Sequence, residues 1–289
     1  MTMSDSTVTT CYRHPDRVTG LSCTTCGKPI CVECSHDASV GQKCPDCAAP
    51  EPGARVVQAR RSTGRPSFQT APATFTILGI TLAIFALGFL SFDLDATFKQ
   101  FLSFVRPGGA IIAGEFIEPD IYRSYTVVLV HGSLMHVGFN MYALYLFGPR
   151  LEQQVGTAAF TSLYLASAAV GSLTALIFGP SQGWAVGASG AIFGLFGAWI
   201  FVAWKMRSSP GGRQMFNTLG VLLAINLALP LFVPGIEWLA HVGGMVAGLG
   251  IAYLWSVFAV GRPNARNIRL LIASAVNVVA IVGSAIVLF

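Results

Sequence analysis

Gly187-Ala188-Ser189-Gly190 stands at the head of an apolar run, 188–204, and Ala240-His241-Val242-Gly243-Gly244 stands near the head of another, 238–260. Neither run contains Asp, Glu, Lys or Arg, and each is near the length that crosses a hydrocarbon core ~30 Å thick. A serine and a histidine at one depth of a bilayer are costly groups that lipid does not tolerate without a reason. Together they supply a nucleophile and a general base. Gly190-x3-Gly194 and Gly244-x3-Gly248 let the two helices approach backbone to backbone, as a Ser189–His241 hydrogen bond requires.

Composition places the remainder of the chain. Of 289 residues, 53% are hydrophobic and 11% charged, against about 25% charged in a soluble domain. Residues 1–72 hold all seven cysteines, eight of the eighteen Lys+Arg and six of the thirteen Asp+Glu. Seven charge-free stretches follow, at 74–92, 126–148, 158–178, 188–204, 216–233, 238–260 and 270–289. The expected fold class is an all-α polytopic membrane protein behind a small soluble head. The fourth and fifth stretches are short, so their ends are expected to be set by surrounding protein rather than by lipid. The polar residues ahead of the first span make it a signal anchor rather than a cleaved peptide.

Loop charges orient the spans. Arg55, Arg60, Arg61 and Arg65, then Arg150, then Lys205, Arg207 and Arg213, then Arg262, Arg266 and Arg269 all fall on one side. The other side carries the 93–125 loop, where five acids outnumber three bases, an uncharged connection, and Glu237. The positive-inside rule then puts the head in the cytoplasm and the C-terminus outside the cell (plasma or inner) membrane.

The head holds four ligand pairs two residues apart: Cys11 and His14, Cys23 and Cys26, Cys31 and Cys34, Cys44 and Cys47. Such pairs wrap zinc from a tight turn, and two pairs complete a tetrahedron. Eight ligands imply two structural zinc ions. A disulfide framework fits poorly, because seven cysteines is an odd number and the cytosol is reducing. The Cys-x2-His start resembles B-box fingers, whose crossed arrangement joins Cys11, His14, Cys31 and Cys34 and leaves Cys23, Cys26, Cys44 and Cys47; a sequential arrangement is the alternative. His36 reads as plain surface. A head with so few apolar residues is expected to fold only with metal. Residues 51–72, rich in Pro, Gly and Arg, read as a flexible basic linker within reach of lipid headgroups.

The stretches that carry polar groups converge. The second, with His131, His136 and Asn140 in its outer half, runs inward from the same face at which Ser189 and His241 lie. His136 and Asn140, four apart, share one helical face. In an amide hydrolase Ser189 is the nucleophile, His241 its base, and His136, Asn140 and the Ser189 backbone N–H are the oxyanion donors. No acid lies within the spans. Glu237, four residues before His241, is expected to be solvated, so the reading is a dyad without a third member. Ser172 and Ser284 read as bonded to their own helices, and Asn226 and Asn277 as polar glue between helices. On the residues alone, an ion or proton path remains the rival to a hydrolytic site.

These motifs, with His131-Gly-Ser-Leu-Met-His136-x3-Asn140 and Leu146-Phe-Gly-Pro-x-Leu-Glu152, resemble the rhomboid family of intramembrane serine proteases over residues 74–260. The resemblance implies a six-helix core at 73–260, with 261–289 an added seventh transmembrane helix, 51–72 the linker and 1–50 the double-zinc finger. It implies a Ser189–His241 dyad without a catalytic cofactor, oxyanion binding by His136 and Asn140, and His131 as a structural histidine. Phe193 falls where some members place a tyrosine against the catalytic histidine, and the 93–125 loop becomes a partly embedded, helix-containing flank of the substrate path. Tyr122-Arg123 and Gln153 depart from the family pattern at scaffold positions. The implied substrates are single-span membrane proteins cut near the outer face; nucleic acid is not an expected partner. The head is accessory and available to a cytosolic partner. A proteolytically inactive rhomboid-like membrane-protein binder and a polytopic transporter are the alternative functions.

Overall fold

The computed structural model describes residues 9–37, 41–49, 66–229, 232–233 and 235–289. The chain divides into two compact units, Met1–Gly64 and Arg65–Phe289. Most of the predicted linker, residues 51–65, lies outside the described residues.

In the first unit a two-stranded antiparallel ribbon, β1 (His36–Asp37) and β2 (Gln42–Lys43), precedes a single helical turn, α1 (Pro45–Ala48). Its core consists of Cys11, Cys23, Cys31, Cys34 and Cys44 around one aliphatic side chain, Ile30. So small an apolar cluster offers little hydrophobic stabilisation.

The second unit is a multi-span helical membrane protein. α2 (Pro72–Leu90) leads into the amphipathic α3 (Phe92–Leu102), β3 (Phe104–Val105), a β4–β5 hairpin (Ala110–Ile112, Glu115–Ile117) and the short α4 (Arg123–Thr126). α5 (Leu134–Val155), α6 (Thr157–Phe178), β6 (Trp184–Ala185), α7 (Ser189–Lys205), α8 (Pro210–Ala228), α9 (Trp238–Phe258) and α10 (Ala265–Leu288) complete it. By length and composition α2, α6, α9 and α10 suffice to cross a membrane. The bent pair Arg123–Leu129 and Leu134–Val155 makes a fifth when the two helices are counted as one span, and α7 is a shorter apolar helix. Gly156, with φ +91°, makes the turn from α5 into α6, a backbone conformation that glycine adopts without strain.

Two expectations about the spans are corrected. The stretch 126–148 is not one helix: its two parts meet at 99°. His131-Gly132 interrupts the helix, and the Ser133 side chain restarts it by accepting from the His136 N–H at 3.2 Å. His131 therefore precedes α5 rather than lying within its outer half. The shortness of α7 does go with burial in protein, since most of its side chains are enclosed. The same expectation fails for the fifth stretch, because α8 starts earlier, includes Arg213, and buries only Gly212 and Leu219.

Glu152, 1% exposed, ties α5 to the start of α2. Its carboxylate accepts from the Ala73 and Thr74 N–H groups at 2.9 and 2.8 Å and from the Thr74 hydroxyl at 2.7 Å. These are amides that the first helical turn leaves without intrahelical acceptors, at the end where a negative charge is favoured. Arg123 performs a similar service for the connecting loop by donating to the carbonyls of Gln100 and Ser103.

Candidate active site and metal centres

β6 delivers the chain to Ser189 through Gly187, whose φ of +122° is unfavourable for any residue with a side chain. A Cβ at Gly187 would also lie 2.6 Å from His136 Nε2, so the backbone passes close against that ring. Ala188 offers no capping side chain, and Ser189 is the first residue of α7. The Ser189 N–H thus has no intrahelical acceptor and sits at the positive end of a helix.

α9 packs along α7 at backbone distance. A Cβ at Gly244 would run into the carbonyl of Gly190, and one at Gly248 into that of Gly194. This approach sets His241, buried at 9% exposure, over the first turn of α7. Nε2 of His241 lies 2.7 Å from Oγ of Ser189. The Phe193 ring, one turn below Ser189, stacks on the imidazole with centroids 4.3 Å apart and planes 9° from parallel.

The remaining sequence-predicted residues are not all turned toward Ser189. His131 Nε2 accepts from the Ala188 N–H at 3.3 Å, bracing the peptide just before the serine. Its ring meets the His136 ring edge-on, centroids 5.0 Å apart. The buried Asn140 donates through Nδ2 to the His136 carbonyl, 2.9 Å away on its own helix. Among the described residues, no hydrogen bond joins His136 or Asn140 to Ser189.

Glu237 corrects another expectation. It is not solvated: its side chain is 18% exposed and forms an ion pair with Arg106, itself 7% exposed. Glu237 also lines a cavity of about 30 Å³ beside Ser189, together with Phe104, Ser172, Ala185 and Ala240. No local pattern in the chain couples Arg106 to a residue 131 positions away, which is why sequence reasoning missed the pair. Asn277 also finds partners, donating to the Ser162 carbonyl and accepting from the Tyr125 hydroxyl.

In the head, the eight predicted ligands gather as Cys11, His14, Cys31 and Cys34, and as Cys23, Cys26, Cys44 and Cys47. This is the crossed arrangement rather than the sequential one. Within each group the ligand atoms all lie within 4.8 Å of one another. His14 Nδ1 stands 3.9, 3.3 and 3.4 Å from the sulfurs of Cys11, Cys31 and Cys34. The sulfurs of Cys26 and Cys44 are 3.7 Å apart. A tetrahedron built on Zn–S bonds of ~2.3 Å has edges of about 3.8 Å, so the donor sets fit zinc. The Cys26–Cys44 separation is too long for a disulfide, and all seven cysteines are free. His36 belongs to neither group. The Tyr12 hydroxyl, donating to Asp46 at 2.9 Å, with Arg13 beside it, holds the Asp46 carboxyl below its usual range.

The second unit matches known proteins along much of its length. A family profile described as Rhomboid domain covers residues 118–258, from just ahead of α4 to the last residue of α9. The chain is 31% identical to "Rhomboid protease GluP" of Bacillus subtilis over 227 residues, 77% of this chain and 42% of that protein. It is 29% identical to "Putative rhomboid protease YdcA" of the same organism over 192 residues, 65% of this chain and 92% of that one. "RHOMBOID-like protein 1" of Arabidopsis thaliana is 36% identical over 152 residues, 51% of this chain and 38% of its own. The chain thus spans less than half the length of two of these three relatives. Several helices of membrane-spanning length, a rhomboid domain in the second of two units and a cysteine-rich first unit occur together, and the chain belongs to the rhomboid family.

Proposed function

We propose that this protein is an intramembrane serine endopeptidase that hydrolyses peptide bonds of single-span membrane proteins with a Ser189–His241 dyad. The observation that carries the reading is the 2.7 Å separation of Ser189 Oγ and His241 Nε2. The names of GluP and YdcA, as a rhomboid protease and a putative one, point the same way.

The chemistry follows from the geometry. Neutral His241 accepts the Ser189 proton at Nε2 as Oγ attacks the substrate carbonyl carbon. The oxyanion that forms is met by the Ser189 N–H at the start of α7, with His136 and Asn140 as side-chain donors. For Asn140 this requires its amide to leave the His136 carbonyl and turn toward the serine. His241 then gives its proton to the departing amine, leaving an ester on Ser189. Water, activated by the same imidazole, releases the second product. No carboxylate assists: Glu237 is engaged by Arg106. The positions of the basic loop residues support an orientation with the Ser189 end of the bundle at the outer face. In the head, the two crossed ligand sets would each hold a structural zinc ion, since four protein ligands would leave no position for a reacting water.

A fluorophosphonate probe on the detergent-solubilised full chain tests the reading. Wild type should label at Ser189 and cleave a single-span substrate, whereas Ser189→Ala and His241→Ala should do neither. Labelling of His241→Ala at the wild-type rate, or substantial cleavage by Ser189→Ala, would refute the dyad.

A further inference from the structure

The approach to Ser189 and the approach to His241 are held by one short segment of the connecting loop. β3 pairs with β6, Phe104 opposite Ala185 and Val105 opposite Trp184, so it lies along the strand that leads to the serine. The ladder continues beyond the strands: the Arg106 N–H donates to the Gly183 carbonyl at 3.0 Å and the Gly108 N–H to that of Ser181 at 2.7 Å. The Arg106 side chain then turns away from this ladder. One arm donates to the carbonyls of Ala175, 2.9 Å away in the last turn of α6, and Pro180, and the other pairs with Glu237. Glu237 immediately precedes α9, and its carbonyl accepts from the His241 N–H one turn on.

The charges suit those places. A cation lies at the C-terminal end of α6, where carbonyls point outward, and an anion lies at the N-terminal end of α9. Gly179 makes room for the guanidinium, because a Cβ there would collide with it. A buried ion pair is weak evidence for stability, since apolar replacements of similar volume often serve as well. What such a pair adds is directional, through charge-assisted hydrogen bonds from a planar donor that reaches several acceptors at once. Here the acceptors belong to α6, to the chain that runs toward Ser189 and to the start of α9.

We propose that Arg106 and Glu237 are positioning residues that fix the register of the serine-bearing chain against the histidine-bearing helix. This rests on the reading of Ser189 and His241 as the catalytic pair. Neither Arg106 nor Glu237 takes or gives a proton in the reaction. They set how far Oγ stands from Nε2, a distance on which rate depends steeply: a misplacement of ~1 Å can lower it about 10²-fold.

The test uses the full chain in detergent and reads the fluorophosphonate labelling rate, kcat and KM for a single-span substrate, and the thermal midpoint. Arg106→Lys keeps the charge but cannot reach all three acceptors, so labelling and kcat should fall about tenfold with KM little changed. The double variant Arg106→Met with Glu237→Met removes both charges and keeps the volume. Its midpoint should return close to wild type while labelling stays about 10²-fold slow. A folded double variant that labels and cleaves at the wild-type rate would make the pair a dispensable part of the scaffold and overturn the inference. So would an Arg106→Lys enzyme with unchanged kcat, which decides the matter if the double variant does not fold. Failure of wild type itself to label would instead remove the dyad reading and this inference with it.

Discussion

Phe193 and His241, on adjacent helices, lie face to face with ring centroids 4.3 Å apart. The contact leaves the imidazole edge, and so Nε2, directed at Ser189, and among the described residues no carboxylate is hydrogen-bonded to the ring. Stacked aromatic pairs contribute about 0.5–1.5 kcal/mol beyond their buried area. Phe193→Leu should therefore lower the labelling rate and kcat about three- to tenfold, and Phe193→Tyr should leave both near wild type. Stopped assays on the two purified variants check this; a Leu variant as fast as wild type would mean that the surrounding packing alone orients the ring.

Glu152 is a stability residue. Replacing it by Ala strands the buried Thr74 N–H and hydroxyl and the half-buried Ala73 N–H, and a buried group left unpaired costs about 1–3 kcal/mol. Glu152→Ala should lower the thermal midpoint well below wild type, with Glu152→Gln intermediate because an amide oxygen still accepts. Thermal unfolding in one detergent compares the three; an unshifted midpoint for Glu152→Ala would show that water satisfies the start of α2.

Metal content distinguishes the pairing in the head. The full chain should carry two zinc ions, and a strong chelator should unfold the head, whose few buried apolar groups cannot hold it together. With crossed ligand sets, Cys11→Ser with Cys31→Ser should cost one zinc and Cys11→Ser with Cys23→Ser should cost both. Elemental analysis giving the reverse would establish sequential pairing. Labelling of Ser189 should survive chelation, because the rhomboid core is a separate compact unit.

Much of this molecule is local in the chain. Charge-free stretches of near-spanning length declare helices because a bilayer core satisfies no backbone hydrogen bonds. The Gly-Ala-Ser-Gly and His-x2-Gly patterns announced close packing at Ser189 and His241 because only glycine permits such approach. Paired cysteines two apart declared metal ligands for the equally local reason that a tight turn presents both. What folding alone decided depends on contacts between distant residues. Neither the crossing of the ligand pairs nor the partners of Asn277 followed from spacing. The bend at Gly132 was written in the chain, in a breaker followed by the Ser133 cap, but the charge-free run concealed it. Asn140 facing its own helix, and Glu237 closed onto Arg106 instead of open to water, were settled by tertiary packing. A buried polar group takes whichever partner packing brings within reach, and the partner of Glu237 lies 131 residues away.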